Sequence, residues 1–480
     1  MHIVGRKQEI AALRSYQESK KPEFVVVYGR RRVGKTFLVK EVFENGFCFY
    51  CTGRKNEDED ERPTEALGKQ LSAFHEALVK YGGRGIERKD NWFDAFLQLE
   101  QLIENTKGTG KKVIFIDEMP WLDTPGSGFL SAFEYFWNSF ASSRPDILLI
   151  ACGSATSWIV KKLFENTGGL FNRVTKRMHL APFTLAETEA YFEDRGIVMG
   201  RYQMVESYMI FGGIPFYLDL FEKKYGLAQN VDLLCFGEDA LLRGEYRSLF
   251  ATLFRDSENH HRIVRALASK AAGLTREEIV KASGVANNGH LTEALEDLAL
   301  CGFVRKYQAF GKRGKGAVYQ LSDPYTLFYH RFIADGKVTD PNFWANGYGG
   351  GAQNAWRGYA FEQVCLAHVQ QIRQALGIGG IVVNSSAWRS AAGTPGGAQI
   401  DLVLDRADRV INLCEMKFST REFEIDKAYC AKLESKARAF AAETKTNKTL
   451  HTTFVTTYGV KHNKYRYAAQ SEVVMEDLFQ

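Results

Sequence analysis

One segment constrains this chain more than any other: FVVVYGRRRVGKTFLVKEVF, residues 24–43. A β-branched apolar run precedes the spacing G-x-x-x-x-G-K-[ST], and an amphipathic pattern follows it, which predicts a buried strand, a tight loop and a helix. Gly29 and Gly34 let the loop turn its N–H groups toward phosphate. Lys35 is placed to reach β- and γ-phosphates, and the Thr36 hydroxyl to ligate Mg2+ at a helix N-terminus that already favours anions. The expected nucleotide contacts are Gly29, Arg30, Arg31, Arg32, Val33, Gly34, Lys35, Thr36 and Phe37. A loop that binds through its backbone has no need of three consecutive arginines. Alternate side chains point away from the phosphate, so these are read either as a basic rim meeting another subunit, an acidic residue or nucleic acid, or as a solvated rim.

Such a strand needs partners whose ends reach the same edge. In KKVIFIDEMPWL an apolar run ends in Asp117 and Glu118, and a buried parallel strand ends in carboxylates where its C-terminal edge opens onto a site. Asp117 is expected to hold Mg2+ through water, and Glu118 to polarise the attacking water, which argues for hydrolysis rather than nucleotide storage. A third buried run, DILLIACGSATSW, ends in Gly153 and Ser154, where a small polar group is placed to sense γ-phosphate or orient water. The later stretch GGLFNRVTKRMHLAPFT offers Arg173, read either as a transition-state cation acting in cis or from a neighbouring subunit, or as an ordinary surface arginine.

At 480 residues and 45% hydrophobic, the chain has length for about three domains. Its net charge of +5, from 62 basic and 57 acidic residues, neither requires nor excludes a nucleic-acid partner. The amino terminus carries no apolar core with a cleavage site, and nowhere do about 18 apolar residues run together, so a soluble cytoplasmic protein with no membrane partner is expected. Cys48 and Cys51 form an isolated CxxC, read as reduced thiols on a strand rather than zinc ligands.

HIVGRKQEIAAL, YGRRRVGKTFLVKEVF, VIFIDEMPWL, CGSATSW, LFNRVTKRMHLAPF and GGIPFYL, in this order and spacing, resemble the successive boxes of the archaeal-type predicted ATPases, within the AAA-like and signal-transduction P-loop superfamily. The resemblance covers most of the first 220 residues. It implies ATP and Mg2+ as cofactors, Gly5 and Arg6 near the adenine or ribose, Ser154 at the sensor position and Arg173 at the arginine that follows it. It also implies an ATPase core over 1–184 and, where the pattern turns helical, a lid over 185–255 with Gly212, Gly213 and Pro215 as hinge or plain turn.

Residues 256–335 read as three helices and a hairpin, resembling a winged helix-turn-helix. Thr275 with Glu278 forms a capping box, Gly284 ends that helix, and Lys312, Arg313 and Lys315 form a basic hairpin tip. Glu293, Glu296 and Asp297 on the would-be recognition helix argue against base reading. The glycine-rich stretch within 336–355 is expected as a linker.

The last domain, 356–480, opens on a helical stripe of Glu362, Cys365, Val369, Ile372 and Leu376, and an acid on a core-facing line needs a partner or a task. QIDLVLDRADRVINLCEMKFS reads as a hairpin. With Ala407 and Asp408 as central turn residues, Asp401 falls opposite Cys414, one residue from Glu415, while Glu415 and Lys417 share a face. Asp401 and Glu415 are the expected Mg2+ ligands, and Lys417 the cation that positions water or stabilises developing charge. The spacing resembles the PD-(D/E)XK nuclease core, with Glu362 as its additional helix acid and Ile400 in place of the motif's proline. Lys432 on the later helix is read as solvated rather than bound to phosphate. The fold expected is therefore α/β throughout: a P-loop ATPase with parallel sheet and helical lid, a winged helix, and a nuclease-like domain. The function expected is ATP turnover coupled to DNA binding or Mg2+-dependent cleavage; the alternative is an ATPase switch whose last domain only binds. DNA, a protein partner and self-association are the partners left open.

Overall fold

The structure is a computed structural model and describes residues 3–55, 62–165, 168–254, 257–311, 317–390 and 397–480. The chain divides into two compact units, Met1–Pro182 with Ala251–Arg255, and Phe183–Phe250 with Asp256–Gln480. No helix among the described residues is long and apolar enough to cross a membrane.

The first unit is built on five parallel strands: β1 (Glu23–Tyr28), β2 (Phe49–Thr52), β3 (Lys112–Asp117), β4 (Ile147–Gly153) and β5 (Lys176–His179). Their order is β2-β3-β4-β1-β5. β4 is buried at every position, as its unbroken apolar sequence requires of a strand covered on both faces. Helices Pro63–Lys80, Trp92–Asn105 and Phe129–Ser139 cover one face with an aromatic core that includes Phe74, Trp92, Phe96, Phe129 and Phe133. Because β4 lies between β1 and β3, the segments leaving all three strands emerge side by side at one edge, the usual ligand position of a parallel sheet.

The second unit begins with the helices Leu185–Asp194, Arg201–Phe211 and Leu227–Cys235, which share its interior. The helices Glu258–Ala268, Arg276–Ser283 and Gly289–Leu300 follow, with a small antiparallel sheet of β6 (Leu274–Thr275), β7 (Val304–Gln308) and β8 (Ala317–Leu321) in the order β6-β8-β7. Thr275 and Glu278 form a reciprocal capping box, and Gly284 closes the helix at φ 66°. Lys312, Arg313 and Lys315 lie outside the described residues.

The stretch expected as a linker is folded. Phe343–Asn346 is a short helix, and Gly351 already begins the helix Gly351–Ala367. The Asp232 carboxylate accepts the backbone N–H of Trp344 at 2.7 Å and of Ala345 at 2.9 Å, and Trp344, Trp356, Phe328 and Phe332 pack ring against ring. Glycine content marked flexibility in the sequence, but two interleaved tryptophans supply enough buried area to order it.

The unit ends in a five-stranded mixed sheet of β9 (Val383–Arg389), β10 (Gln399–Arg406), β11 (Val410–Lys417), β12 (Thr449–Thr456) and β13 (Ser471–Val474), ordered β13-β12-β11-β10-β9. β9, β10 and β11 pair antiparallel; β11, β12 and β13 pair parallel, with the helix Lys427–Thr444 as the crossover between β11 and β12. The helical stripe expected from Glu362 to Leu376 is broken at His368, which ends one helix before Val369–Ala375 begins the next.

Candidate functional site

The phosphate-binding loop leaves β1 at Gly29, where φ is 140° and an added Cβ would lie 2.4 Å from the Leu180 carbonyl oxygen. Only glycine fits there. The Lys35 ammonium donates to the carbonyls of Gly29 at 2.9 Å and Arg30 at 2.8 Å, so the loop folds around its own lysine. Thr36 donates its hydroxyl to the Asp117 carboxylate, 2.9 and 3.1 Å from its two oxygens. Burial, and then the neighbouring Glu118 charge, push the Asp117 carboxyl up, against hydrogen bonds from Thr36 and Cys152 that lower it. A half-buried hydroxyl and a buried carboxylate joined in this way form the donor set that a Mg2+ bridging to phosphate would take.

Glu118 adopts φ 45°, rare for a residue with a side chain, and Ser154 holds both of its oxygens. The Ser154 hydroxyl donates to Oε1 at 2.7 Å and its backbone N–H to Oε2 at 3.1 Å. This brace exists because β4 lies beside β3, and Gly153 makes it possible: an added Cβ there would sit 2.6 Å from the Pro120 ring.

The remaining expected contacts divide. Arg6, at φ 55°, is buried and donates to the Ala181 carbonyl at 2.7 Å, next to Gly5 at φ 68°; it ties the amino-terminal box to the segment leaving β5. Arg30 is only 5% exposed, so a solvated rim does not describe it; Val33 is buried, and Phe37 is exposed. Arg31 and Arg32 are half-buried, the latter at φ 72°. Arg173 is exposed, and its Nε donates to the Gly169 carbonyl at 3.3 Å.

The second constellation lies on the C-terminal sheet. Leu402 pairs with Cys414 and Val403 with Leu413, which places Asp401 level with Glu415, one residue from the register expected. The turn has three residues rather than two, and Arg409 at φ 67° supplies the left-handed conformation that closes it. Glu415 is buried and held on three sides: Tyr429 donates to it at 3.0 Å, the Lys436 ammonium pairs with it directly, and the Lys417 ammonium lies 3.7 Å away. Gln399 donates to Asp401. Glu362 stands within electrostatic reach of this group, its carboxyl pushed up to about 8 by burial and then by Asp401, with Lys417 and Lys436 opposing.

Tyr429, Lys436 and Gln399 are the residues that sequence reasoning missed. Lys432, read as solvated, is exposed; Lys436, one helical turn further along, meets Glu415. Among the described residues no three Cys, His, Asp or Glu side chains converge as a ready cation site. Asp401 and Glu415 still meet the smaller need of Mg2+, which binds through one or two carboxylates with water and substrate phosphate, once Lys436 gives way.

The loop after β1, the paired Thr36 and Asp117, and the braced Glu118 define a P-loop ATPase in which a strand separates the phosphate loop from the strand that ends in Asp117. Residues 3–221 match the family described as an ATPase domain predominantly from Archaea. An uncharacterized protein of Methanocaldococcus jannaschii is 26% identical over 333 residues, 69% of this chain and 69% of that one. An uncharacterized ATP-binding protein of the same organism is 45% identical over 43 residues, 9% of this chain and 73% of that one. Among solved structures, a Walker-type ATPase of Pyrococcus abyssi is similar at 19% identity and a TM-score of 0.48, over 69% of this chain and 96% of that one.

Proposed function

We propose that this ATPase couples ATP turnover to nucleic acid held by its C-terminal domain, which cuts a phosphodiester when Mg2+ is bound. In the ATPase, the loop N–H groups and Lys35 would hold the phosphates, and Thr36 and Asp117 the Mg2+, which neutralises charge on the transferring group. Glu118 accepts a proton from the attacking water, and Ser154 fixes the direction in which it does so.

The observation that carries the nuclease reading is the β10–β11 register, which sets Asp401 level with Glu415 and brings Lys417 beside them on one sheet face. Asp401 and Glu415 would hold Mg2+, which supplies Lewis-acid stabilisation of the phosphoryl group. Lys417 contributes a positive charge where the phosphorane charge develops, and Tyr429 orients Glu415. We read the three helices and the β7–β8 hairpin before this sheet as a winged helix in a structural role, since Glu293 and Glu296 are exposed on its third helix. The test compares wild type with Asp401→Ala and Lys417→Ala on single-stranded, duplex and branched DNA with Mg2+. Cutting by wild type alone is expected; equal activity, or equal inactivity, in all three refutes it.

A second reading, a switch whose last domain only binds, is favoured by the Lys436 ammonium paired with Glu415. Measuring ATP hydrolysis with and without DNA, at low and physiological salt, beside Lys35→Ala separates the two. Stimulation that falls with salt and vanishes in the variant supports coupling to DNA; hydrolysis indifferent to DNA supports the switch.

A further inference from the structure

The β7–β8 hairpin is docked on the C-terminal sheet. Phe310, just past β7, donates its N–H to the Ala387 carbonyl on β9 at 2.9 Å, and Ala309 bridges Ala387 as a parallel partner. The Phe310 ring packs 4.9 Å from that of Phe440, against the core formed by Trp388, Ile400 and Val403. Arg389 of β9 returns the contact, donating to the Ala272 carbonyl at 2.9 Å, and Arg305 of β7 donates at 3.0 Å to Gln363, the neighbour of Glu362. A wing held this way serves as a wall.

Between this wall and the β9–β10 edge lies a cleft of about 520 Å3, whose lining includes Tyr307, Phe310, Trp388, Arg389, Ser390 and Gln399. Gln399, which lines the cleft, donates to Asp401 and so joins the cleft to the acid pair through one side chain. Tyr307 lines the cleft half-buried, with its hydroxyl donating to the Ala272 carbonyl at 3.1 Å. Asp401 in turn lies within electrostatic reach of Tyr307.

We propose that this cleft is the strand-binding subsite of the C-terminal site and that the docked hairpin restricts it to single-stranded nucleic acid. The inference rests on the nuclease-like reading of Asp401 and Glu415 and names its substrate class. A cavity of this volume suits a ligand of nucleotide size, which an unpaired strand presents and a duplex, its bases paired and stacked, does not. Sequence-tolerant binding of a single strand needs aromatic faces for the bases and cations along the backbone. Tyr307 and Phe310 supply the faces; Arg389 at the cleft and Lys417 beside the acids supply the cations.

The full-length chain is titrated by fluorescence anisotropy with labelled oligothymidylate and with a blunt duplex of equal length, at low salt and without divalent cation. The single strand is expected to bind at least about 10-fold tighter than the duplex, and Tyr307→Ala to remove about 10-fold of that affinity while Tyr307→Phe keeps it. Ser390→Trp, which adds bulk to the cleft lining and leaves Tyr307 itself unchanged, is expected to weaken the single strand equally, with circular dichroism showing the fold retained. A duplex bound as tightly as the single strand, or an affinity unmoved by both Tyr307→Ala and Ser390→Trp, overturns the proposal. Adding Mg2+ separates the two readings: Tyr307-dependent binding with no cutting by wild type leaves the cleft standing and removes the nuclease chemistry alone.

Discussion

Glu118 and Ser154 are 36 positions apart in sequence and share two hydrogen bonds in space. Asp117 and Glu118 are legible in the sequence because an apolar run has no reason to end in two acids, but the brace on Glu118 depends on β4 lying next to β3. Glu118→Gln is expected to retain ATP binding and lose hydrolysis by about 10²–10⁴-fold, read by nucleotide binding beside phosphate release. Gly29→Ala is expected to lose both, since its Cβ cannot clear Leu180. Away from the sites, burial and then the Arg265 charge push the His330 imidazole down to about 4. A depressed histidine is neutral in the fold and takes up a proton on unfolding, so its stabilising contribution is present above about pH 6.5 and is lost as pH falls toward 4. His330→Phe, which keeps ring contacts with Tyr246 and Tyr329, is expected to shrink the drop in Tm between pH 7 and pH 4.5 by about 2–4 °C, measured by thermal melts.

The β10–β11 hairpin shows how far an element can be read from its sequence. Alternation gave the strands, and composition gave the turn, yet one extra turn residue moved Asp401 from Cys414 to the level of Glu415. A left-handed arginine at 409 is invisible to a residue count, because turn length is set by backbone strain that flanking strands impose. The helix Gly351–Ala367 shows the reverse case: its first turn read as linker, while Gln353, Trp356 and Arg357 are buried. Arg357 on this helix pairs with Glu206 of Arg201–Phe211 at 2.7 Å, with side chains 6% and 4% exposed. Arg357→Ala leaves the Glu206 charge buried and is expected to cost about 3–5 kcal/mol, read from urea unfolding. The double variant Arg357→Met with Glu206→Leu is expected to recover most of that loss, since apolar groups of similar volume need no partner.

At the scale of the molecule, the two compact units are expected to unfold in two steps. In scanning calorimetry, ATP with Mg2+ is expected to raise only the transition of the ATPase unit, by an amount that grows with ligand concentration, and Lys35→Ala to abolish that shift. A single transition moving as a whole would show instead that the units unfold together. The sequence by itself determined the phosphate loop, its acids and the kinds of element along the chain, because motif spacing and apolar periodicity act within a few residues of one another. Only the tertiary structure decided that Ser154 holds Glu118, that Lys436 meets Glu415, and that the segment after β7 meets β9 at Ala387. These contacts join residues that no local period relates; they form where burying apolar surface, as at Phe310 and Phe440, brings distant segments together and leaves each buried polar group to find its partner there.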